Sequence, residues 1–469
     1  MNYRKMCYRI LAVLSVLSLI EIPVFAQQRP NVIVILSDDG GYDDFGCYGG
    51  KEVHTPHIDE LSKHGILFQC AYASASVCAP SRAGLLTGRY QQRFGFEHNI
   101  SKRPTAGTTP EDIGMDTSVA TIADFMKYNG YKTVGIGKWH QGDGPQFHPL
   151  KRGFDHFYGF IGGDRSYFPI PGKVKPTQML VDDSRIVPED SIRYLTETLT
   201  DKAISYVHRY RQQSFFMYLA FNAIHTPVEA PLTQNSKYSH VADPLRRAYL
   251  AMLENMDSNI GRLIDQLKSD GLYENTLIIF MNDNGAATNN GADNGQLRGL
   301  KGSKWEGGIR VPMIIQWPAR LPQGKVVDAM VSGMDILPTS IDAIQGKNIP
   351  GQQIDGLSLL SAYKTAKNGH DYLFWRRGVA KAVRHAEWKL IVVKDDPILL
   401  FNLKNDLKEQ HNLAEKYPDN VNKMLDKLAE WEKKMAAPKW LSGVLDNDEN
   451  QMMKHRMDVI GRAAEKKYP

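Results

Sequence analysis

The run Asn31-Val32-Ile33-Val34-Ile35-Leu36 constrains the fold of this 469-residue chain more than any other feature. It is apolar at successive positions, not at alternate ones, so a strand formed here must be covered on both faces. The run stops at the polar turn Ser37-Asp38-Asp39-Gly40-Gly41, as a buried parallel strand feeding a loop would. The pattern then alternates. A helix is predicted at Thr55-Pro56-His57-Ile58-Asp59-Glu60-Leu61, with Thr55 as N-cap and Pro56 at the first helical position. Further helices are predicted at residues 118–129, 198–211 and 244–269, and strands at 132–136, 215–221 and 276–282. Strands alternating with helices predict an α/β fold with a large, mostly parallel sheet covered by helices on both faces.

Two stretches break the rhythm. Residues 141–178 are rich in Gly, Pro and aromatics (Phe154, Phe157, Tyr158, Phe160, Tyr167, Phe168), and residues 284–308 are rich in Gly and Asn. Loops of this length inside a compact domain are usually functional. From about Asp371 the pattern turns to short segments at 372–375, 379–384, 388–393 and 399–403, then a charged helix at 418–436. These predict a small antiparallel sheet plus helix. The expected layout is a signal peptide over residues 1–26, a main domain over 27–370 and a C-terminal subdomain over 371–469.

The signal peptide rests on Arg4, Lys5 and Arg9, an apolar run from Ile10 to Ile20, and the small-residue ending Val24-Phe25-Ala26. The run is too short for a membrane span, and no later segment is long and apolar enough, so an exported chain, periplasmic or secreted, is expected. Loss of Arg4, Lys5, Arg9 and Glu21 removes a net +2 and turns the formal charge of +5 into +3. That balance is mild, and no basic run or aromatic-interleaved basic stripe points to nucleic acid. Of four cysteines, Cys7 leaves with the signal; Cys47 and Cys70 are either a disulfide or two free thiols. No cysteine or histidine cluster has zinc spacing.

The chemistry-bearing residues collect after the strands. Asp38 and Asp39 follow one, Asp283 and Asn284 follow another, and open α/β sheets place ligands at such carboxyl ends. Three carboxylates and an amide are hard oxygen donors suited to Ca²⁺ or Mg²⁺ and not to zinc. Lys138 and His140 follow a third strand, His225 a fourth, and Lys301 lies in the Gly-rich stretch. Cys78-Ala79-Pro80-Ser81-Arg82-Ala83-Gly84-Leu85-Leu86-Thr87-Gly88-Arg89 puts a cysteine at the mouth of a short helix with Arg82 one turn on. The positive end of such a helix suits an anionic substrate.

Together with Gly137-Lys138-Trp139-His140, His225-Thr226-Pro227, Asn282-Asp283-Asn284-Gly285 and Glu306-Gly307-Gly308-Ile309-Arg310-Val311-Pro312, these segments resemble the type I, formylglycine-dependent sulfatases of the alkaline phosphatase superfamily. The resemblance covers most of the chain beyond residue 26, and Trp388-Lys389-Leu390 and Leu400-Phe401-Asn402-Leu403 look like that family's small subdomain. It implies that Cys78 is oxidised to formylglycine by a formylglycine-generating enzyme. It implies a divalent ion, usually Ca²⁺, held by Asp38, Asp39, Asp283, Asn284 and residue 78. Arg82, Lys138 and His140 would surround the nucleophile, His225 would face the leaving oxygen, and Lys301 would hold the sulfate. Lys301 is preferred to Lys304 because the family's lysine stands five places before the Glu of Glu-Gly-Gly. Gln141 departs from the family's usual Leu, a change expected to touch pocket shape.

The expected function is hydrolysis of O-sulfate esters on a sulfated mono- or oligosaccharide, with the aromatic-rich loops stacking on sugar rings. A phosphonate or phosphate ester hydrolase of the same superfamily and a catalytically silent glycan-binding protein are the alternatives.

Overall fold

The computed structural model describes residues 29–365 and 369–442; the predicted signal segment lies outside them. Its first twelve strands are β1 (Asn31–Ser37), β2 (Ile66–Phe68), β3 (Ala71–Tyr72), β4 (Lys132–Lys138), β5 (His156–Phe160), β6 (Val181–Asp182), β7 (Arg185–Ile186), β8 (Phe215–Ala220), β9 (Thr276–Asn282), β10 (Met313–Gln316), β11 (Lys325–Val327) and β12 (Val331–Ser332). Ten of them form one sheet in the order β11-β2-β10-β9-β1-β8-β4-β5-β6-β7. β1 lies near its centre, parallel to β8 on one side and β9 on the other. Antiparallel neighbours come at β10 and towards the β6–β7 edge.

The continuous apolar run has the predicted consequence. Val32, Val34 and Leu36 enter one core with Phe216, Tyr218, Leu277 and Ile279, and Ala79, Ala83 and Leu86 of the helix Cys78–Thr87 pack into that same core. Ile33 and Ile35 enter the other, against the helices Leu195–Arg209 and Pro244–Ser269. Each such aliphatic side chain contributes about 1.5–3 kcal/mol by leaving water, so both faces of β1 are committed to packing. Only its carboxyl end is left for chemistry.

Four further strands, β13 (Tyr372–Arg377), β14 (Ala380–His385), β15 (Trp388–Val393) and β16 (Leu399–Asn402), make a separate antiparallel sheet. The helix Pro418–Glu432 buries Val421, Met424, Leu428 and Trp431 in a third core with that sheet. Trp375 ties the small sheet to the large domain by donating its indole N–H to Ala73 O at 2.8 Å.

One expectation changes, and one open alternative is decided. Residues 141–178 are not a structureless loop: β5 adds to the main sheet beside β4. Phe154, Phe157, Tyr158, Phe160 and Tyr167 are therefore buried, and of those aromatics only Phe168 is exposed. They cannot serve as sugar platforms. Cys47 and Cys70 are free thiols. Among the described residues, no helix is long and apolar enough to cross a membrane.

Candidate active site

β4 and β9 flank the β8–β1 pair, and all four strands run parallel, so their carboxyl ends share one edge. Asp38 and Asp39 follow β1, Lys138 ends β4, His225 lies in the turn after β8, and Asp283 and Asn284 follow β9. The helix Cys78–Thr87 begins at the cysteine itself, with Val77 as an extended N-cap. This helix has no polar side-chain cap of its own. The orphan N–H of Ala79 is met instead by Asn99 Oδ1 at 3.1 Å.

Around Cys78 the structure packs alternating charges. Its Sγ lies 3.5 Å from Asp38 Oδ1 and 3.8 Å from Asp39 Oδ1. Lys301 Nζ lies 2.8 Å from the same sulfur and 2.7 Å from the Asp39 carboxylate. Arg82, fully buried, donates to Asp283 Oδ2 at 3.0 Å and to Lys138 O at 3.1 Å, with Asp38 Oδ2 at 3.4 Å. Lys138 pairs with Asp38. Burial alone would raise the Asp38 carboxyl, but Lys138, His225 and Arg82 hold it far below the usual carboxylate range. Asp283 moves the other way, raised by burial and by the Asp38 charge. Burial also pushes the Cys78 thiol up, against Lys138 and Lys301. An unmodified thiol here is a poor nucleophile, because reactivity belongs to the thiolate.

The histidines differ. His225 Nδ1 lies 2.6 Å from Thr226 O, which can only accept, so Nδ1 carries the hydrogen and Nε2 faces Asp39 Oδ2 at 3.6 Å. His140 takes a left-handed backbone (φ 58), its N–H bonds Ile161 O at 2.9 Å, and its buried Nδ1 meets no partner. Gly163 makes room for this ring: a Cβ there would come within 2.7 Å of it. Burial, then Lys138, lowers the basicity of both rings.

The donors fit a hard cation. Asp38, Asp39 and Asp283 are at most 1% exposed. Asn284 gives its Nδ2 to Asp39 Oδ1 at 2.7 Å while its buried Oδ1 has no partner, and a half-turn of the amide exchanges the two. Ligand atoms of Asp38, Asp39, Cys78 and His225 all lie within 4.8 Å of one another. His225 thus stands inside the donor cluster, where the sequence placed only a leaving-group role. Asp283, expected as a ligand, is turned to Arg82 on one oxygen.

Other participants were not legible. Asn290 Nδ2 holds Asp39 O at 2.9 Å and Ile224 O at 3.1 Å, joining the β1 and β8 turns. Its only sequence signal was the Asn-rich composition of residues 284–308. Gln141 does not shape an open pocket: it is fully buried, and its Nε2 donates to Ala79 O at 3.0 Å and His140 O at 2.8 Å. The residue that replaces the family's Leu thus ties the cysteine helix to the His140 backbone.

The sulfatase family profile matches residues 30–346, and the profile described as N-sulphoglucosamine sulphohydrolase, C-terminal, matches residues 301–434. The chain is 33% identical over 373 residues to the N-acetylgalactosamine-6-sulfatase of Homo sapiens, covering 75% of this chain and 69% of that protein. It is 30% identical over 467 residues to arylsulfatase J of Mus musculus, covering 86% and 76%. The crystal structure of Ps i-CgsB superposes with a TM-score of 0.82 at 34% identity, covering 91% of this chain and 97% of that one. The phosphonate monoester hydrolase of Agrobacterium radiobacter shares the fold, with a TM-score of 0.63, 19% identity and coverage of 87% and 96%. With the family profile spanning the strand ends and the cysteine helix alike, the chain belongs to the sulfatase family and is a sulfuric ester hydrolase of alkaline-phosphatase-like fold.

Proposed function

We propose that this enzyme removes O-sulfate groups from sulfated mono- or oligosaccharides, with formylglycine made from Cys78 by a formylglycine-generating enzyme. The observation that carries the reading is the cysteine at a helix start, gripped by Lys301 and facing two carboxylates. The sugar follows from the relatives: one is an N-acetylgalactosamine-6-sulfatase, and Ps i-CgsB, 34% identical, is also solved in complex with k-i-k-neocarrahexaose. Export, by a signal peptide over residues 1–26, accords with such a substrate, and the division into residues 27–370 and 371–469 belongs to the same reading.

A sulfate monoester resists attack because its oxygens repel a nucleophile, so positive groups must neutralise them as charge shifts. Lys138 and Lys301 supply two, and Arg82 fixes Asp38 and Asp283 between them. Asp38, Asp39, Asp283, Asn284 and residue 78 would hold a divalent cation, Ca²⁺ before Mg²⁺. The cation would add Lewis-acid charge, and formylglycine a hydroxyl nucleophile that a thiol cannot supply. His225 would protonate the departing alcohol oxygen from Nε2 in its imidazolium form, which the Asp38 and Asp39 carboxylates favour against burial and Lys138; Lys301, kept charged by Asp39, is the alternative donor. His140, lowered by burial and by Lys138, is neutral near pH 7 and accepts a proton on the nucleophile side.

The test is release of inorganic sulfate from defined sulfated oligosaccharides, run beside aryl sulfate and aryl phosphate esters. Sulfate release from at least one saccharide, with aryl sulfate turned over faster than aryl phosphate, is expected. Faster phosphate hydrolysis would favour the phosphoester alternative, and saccharide binding without release would favour a silent lectin.

A further inference from the structure

The stretch from Arg298 to Arg310 carries Lys301, and part of what holds it comes from the small subdomain. Glu306, Lys389 and Glu409 are each fully buried. Lys389 Nζ, from β15, lies 2.9 Å from Glu306 Oε1 and 2.8 Å from Glu409 Oε1. Glu409, on a left-handed backbone (φ 55), accepts the Glu306 N–H on its other oxygen at 2.8 Å. Its own carbonyl accepts from Arg298 Nη1 at 2.6 Å, while the Arg298 guanidinium lies 4.0 Å from the Trp305 ring. Tyr72 OH and Arg310 complete the coordination of Glu306.

Both ends of the lysine loop are therefore gripped by one residue. Glu409 holds Arg298, three places before Lys301, through its carbonyl, and Glu306, five places after, through its carboxylate. Between those anchors the loop is guided by Lys301 N–H to Ala286 O at 2.8 Å and Gly302 N–H to Ser76 O at 2.7 Å, which put Nζ against Cys78 and Asp39. A buried charge network of this kind adds little net stability compared with apolar packing, but it fixes geometry because each partner has few other places to go.

We propose that Glu409 and Lys389 are positioning residues for Lys301, so that the small subdomain sets the placement of the sulfate-holding ammonium. The proposal rests on the reading of Lys301 given above. Its test is a double-mutant cycle on full-length, formylglycine-bearing enzyme with an activated aryl sulfate, comparing Glu409→Gln, Lys301→Ala and the pair. Lys389→Met is run alongside. Glu409→Gln keeps volume and removes one charge. It should lower kcat about tenfold alone and less than about twofold in the Lys301→Ala background, as residues acting through one another do. It should also weaken inhibition by inorganic sulfate. Val421→Ala, which trims the helix Pro418–Glu432 and removes no member of the charge network, should lower Tm without either kinetic effect. Equal factors for Glu409→Gln in both backgrounds, or an unchanged kcat in Glu409→Gln and Lys389→Met, would overturn the clamp while leaving Lys301 its role. A fully active Lys301→Ala would overturn the reading of Lys301 and the clamp with it.

Discussion

Replacing Arg82 by Met tests whether the charges under Cys78 are interdependent. Arg82 and both of its carboxylate partners are fully buried, so the substitution leaves Asp38 and Asp283 without the guanidinium that lies 3.4 and 3.0 Å away. Removing one member of a buried ion pair costs about 3–5 kcal/mol, because the survivor keeps its charge without solvent. At about 2.1 cal/mol/K per residue, the 469-residue chain has an unfolding entropy of about 1.0 kcal/mol/K, so Tm should fall by roughly 3–5 °C. The loss should depend on pH. Asp283 is already raised by burial and by Asp38, and loss of Arg82 raises it further. A carboxyl whose folded pKa lies above its unfolded one stabilises less as pH rises from the unfolded value through the folded one. The deficit against wild type, measured by calorimetry in chelator, should therefore be larger at pH 8 than at pH 5. Turnover should fall at least about a hundredfold, the usual effect of removing one preorganised electrostatic group. An unchanged Tm, or a deficit that grows as pH falls, would show that Arg82, Asp38 and Asp283 do not depend on one another for their charge state.

Four further outcomes follow from the geometry. His225→Ala should damage sugar sulfates far more than aryl sulfates, by about a hundred- to ten-thousand-fold, because only the poor leaving group needs a proton. His140→Ala should slow both alike, and the reverse pattern in paired kinetics would exchange the roles. Asp283→Ala should abolish metal retention, read by elemental analysis, and chelation should lower the Tm of wild type but not of the variant. Far from the site, His370 Nε2 lies 2.7 Å from Asp335 Oδ1, and burial, which would lower the imidazole, is outweighed by that carboxylate, leaving it raised. Its stabilisation is complete below the unfolded value near 6.5 and lost as pH rises through the folded one, so the Tm gap between wild type and His370→Gln should shrink from pH 5.5 to 9.

The sequence was most legible where one local pattern decided the outcome. The strand Thr276–Asn282 and the helix Pro244–Ser269 fall at their predicted bounds, one an apolar run closed by Asp-Asn-Gly, the other opened by Asp243 capping Leu245 N. The strand His156–Phe160 was hidden because its glycine and flanking turns read as loop, and only pairing with β4 makes it a strand. The short β2, β10 and β11 are likewise set by partners distant in sequence. In the site, motif residues were visible because they sit at strand ends. Their supporting roles were not: Asn99, Gln141 and Asn290 each act through one amide reaching a distant backbone group, and Lys389 meets Glu306 across 83 residues of chain. Such contacts leave no periodicity in the sequence.

The most direct measurement is the mass of the peptide that carries Cys78 in active enzyme. Trypsin cutting after Lys63 and Arg82 yields a segment holding both Cys70 and Cys78, so one peptide contains the reactive position and an internal control. Cys70, a free thiol outside the charge cluster, should remain a thiol, while Cys78 should appear as an aldehyde or its hydrate. Two intact thiols in a preparation that turns over sulfate esters at full rate would contradict the account, because the buried, protonated sulfur at residue 78 would then have to act as it stands.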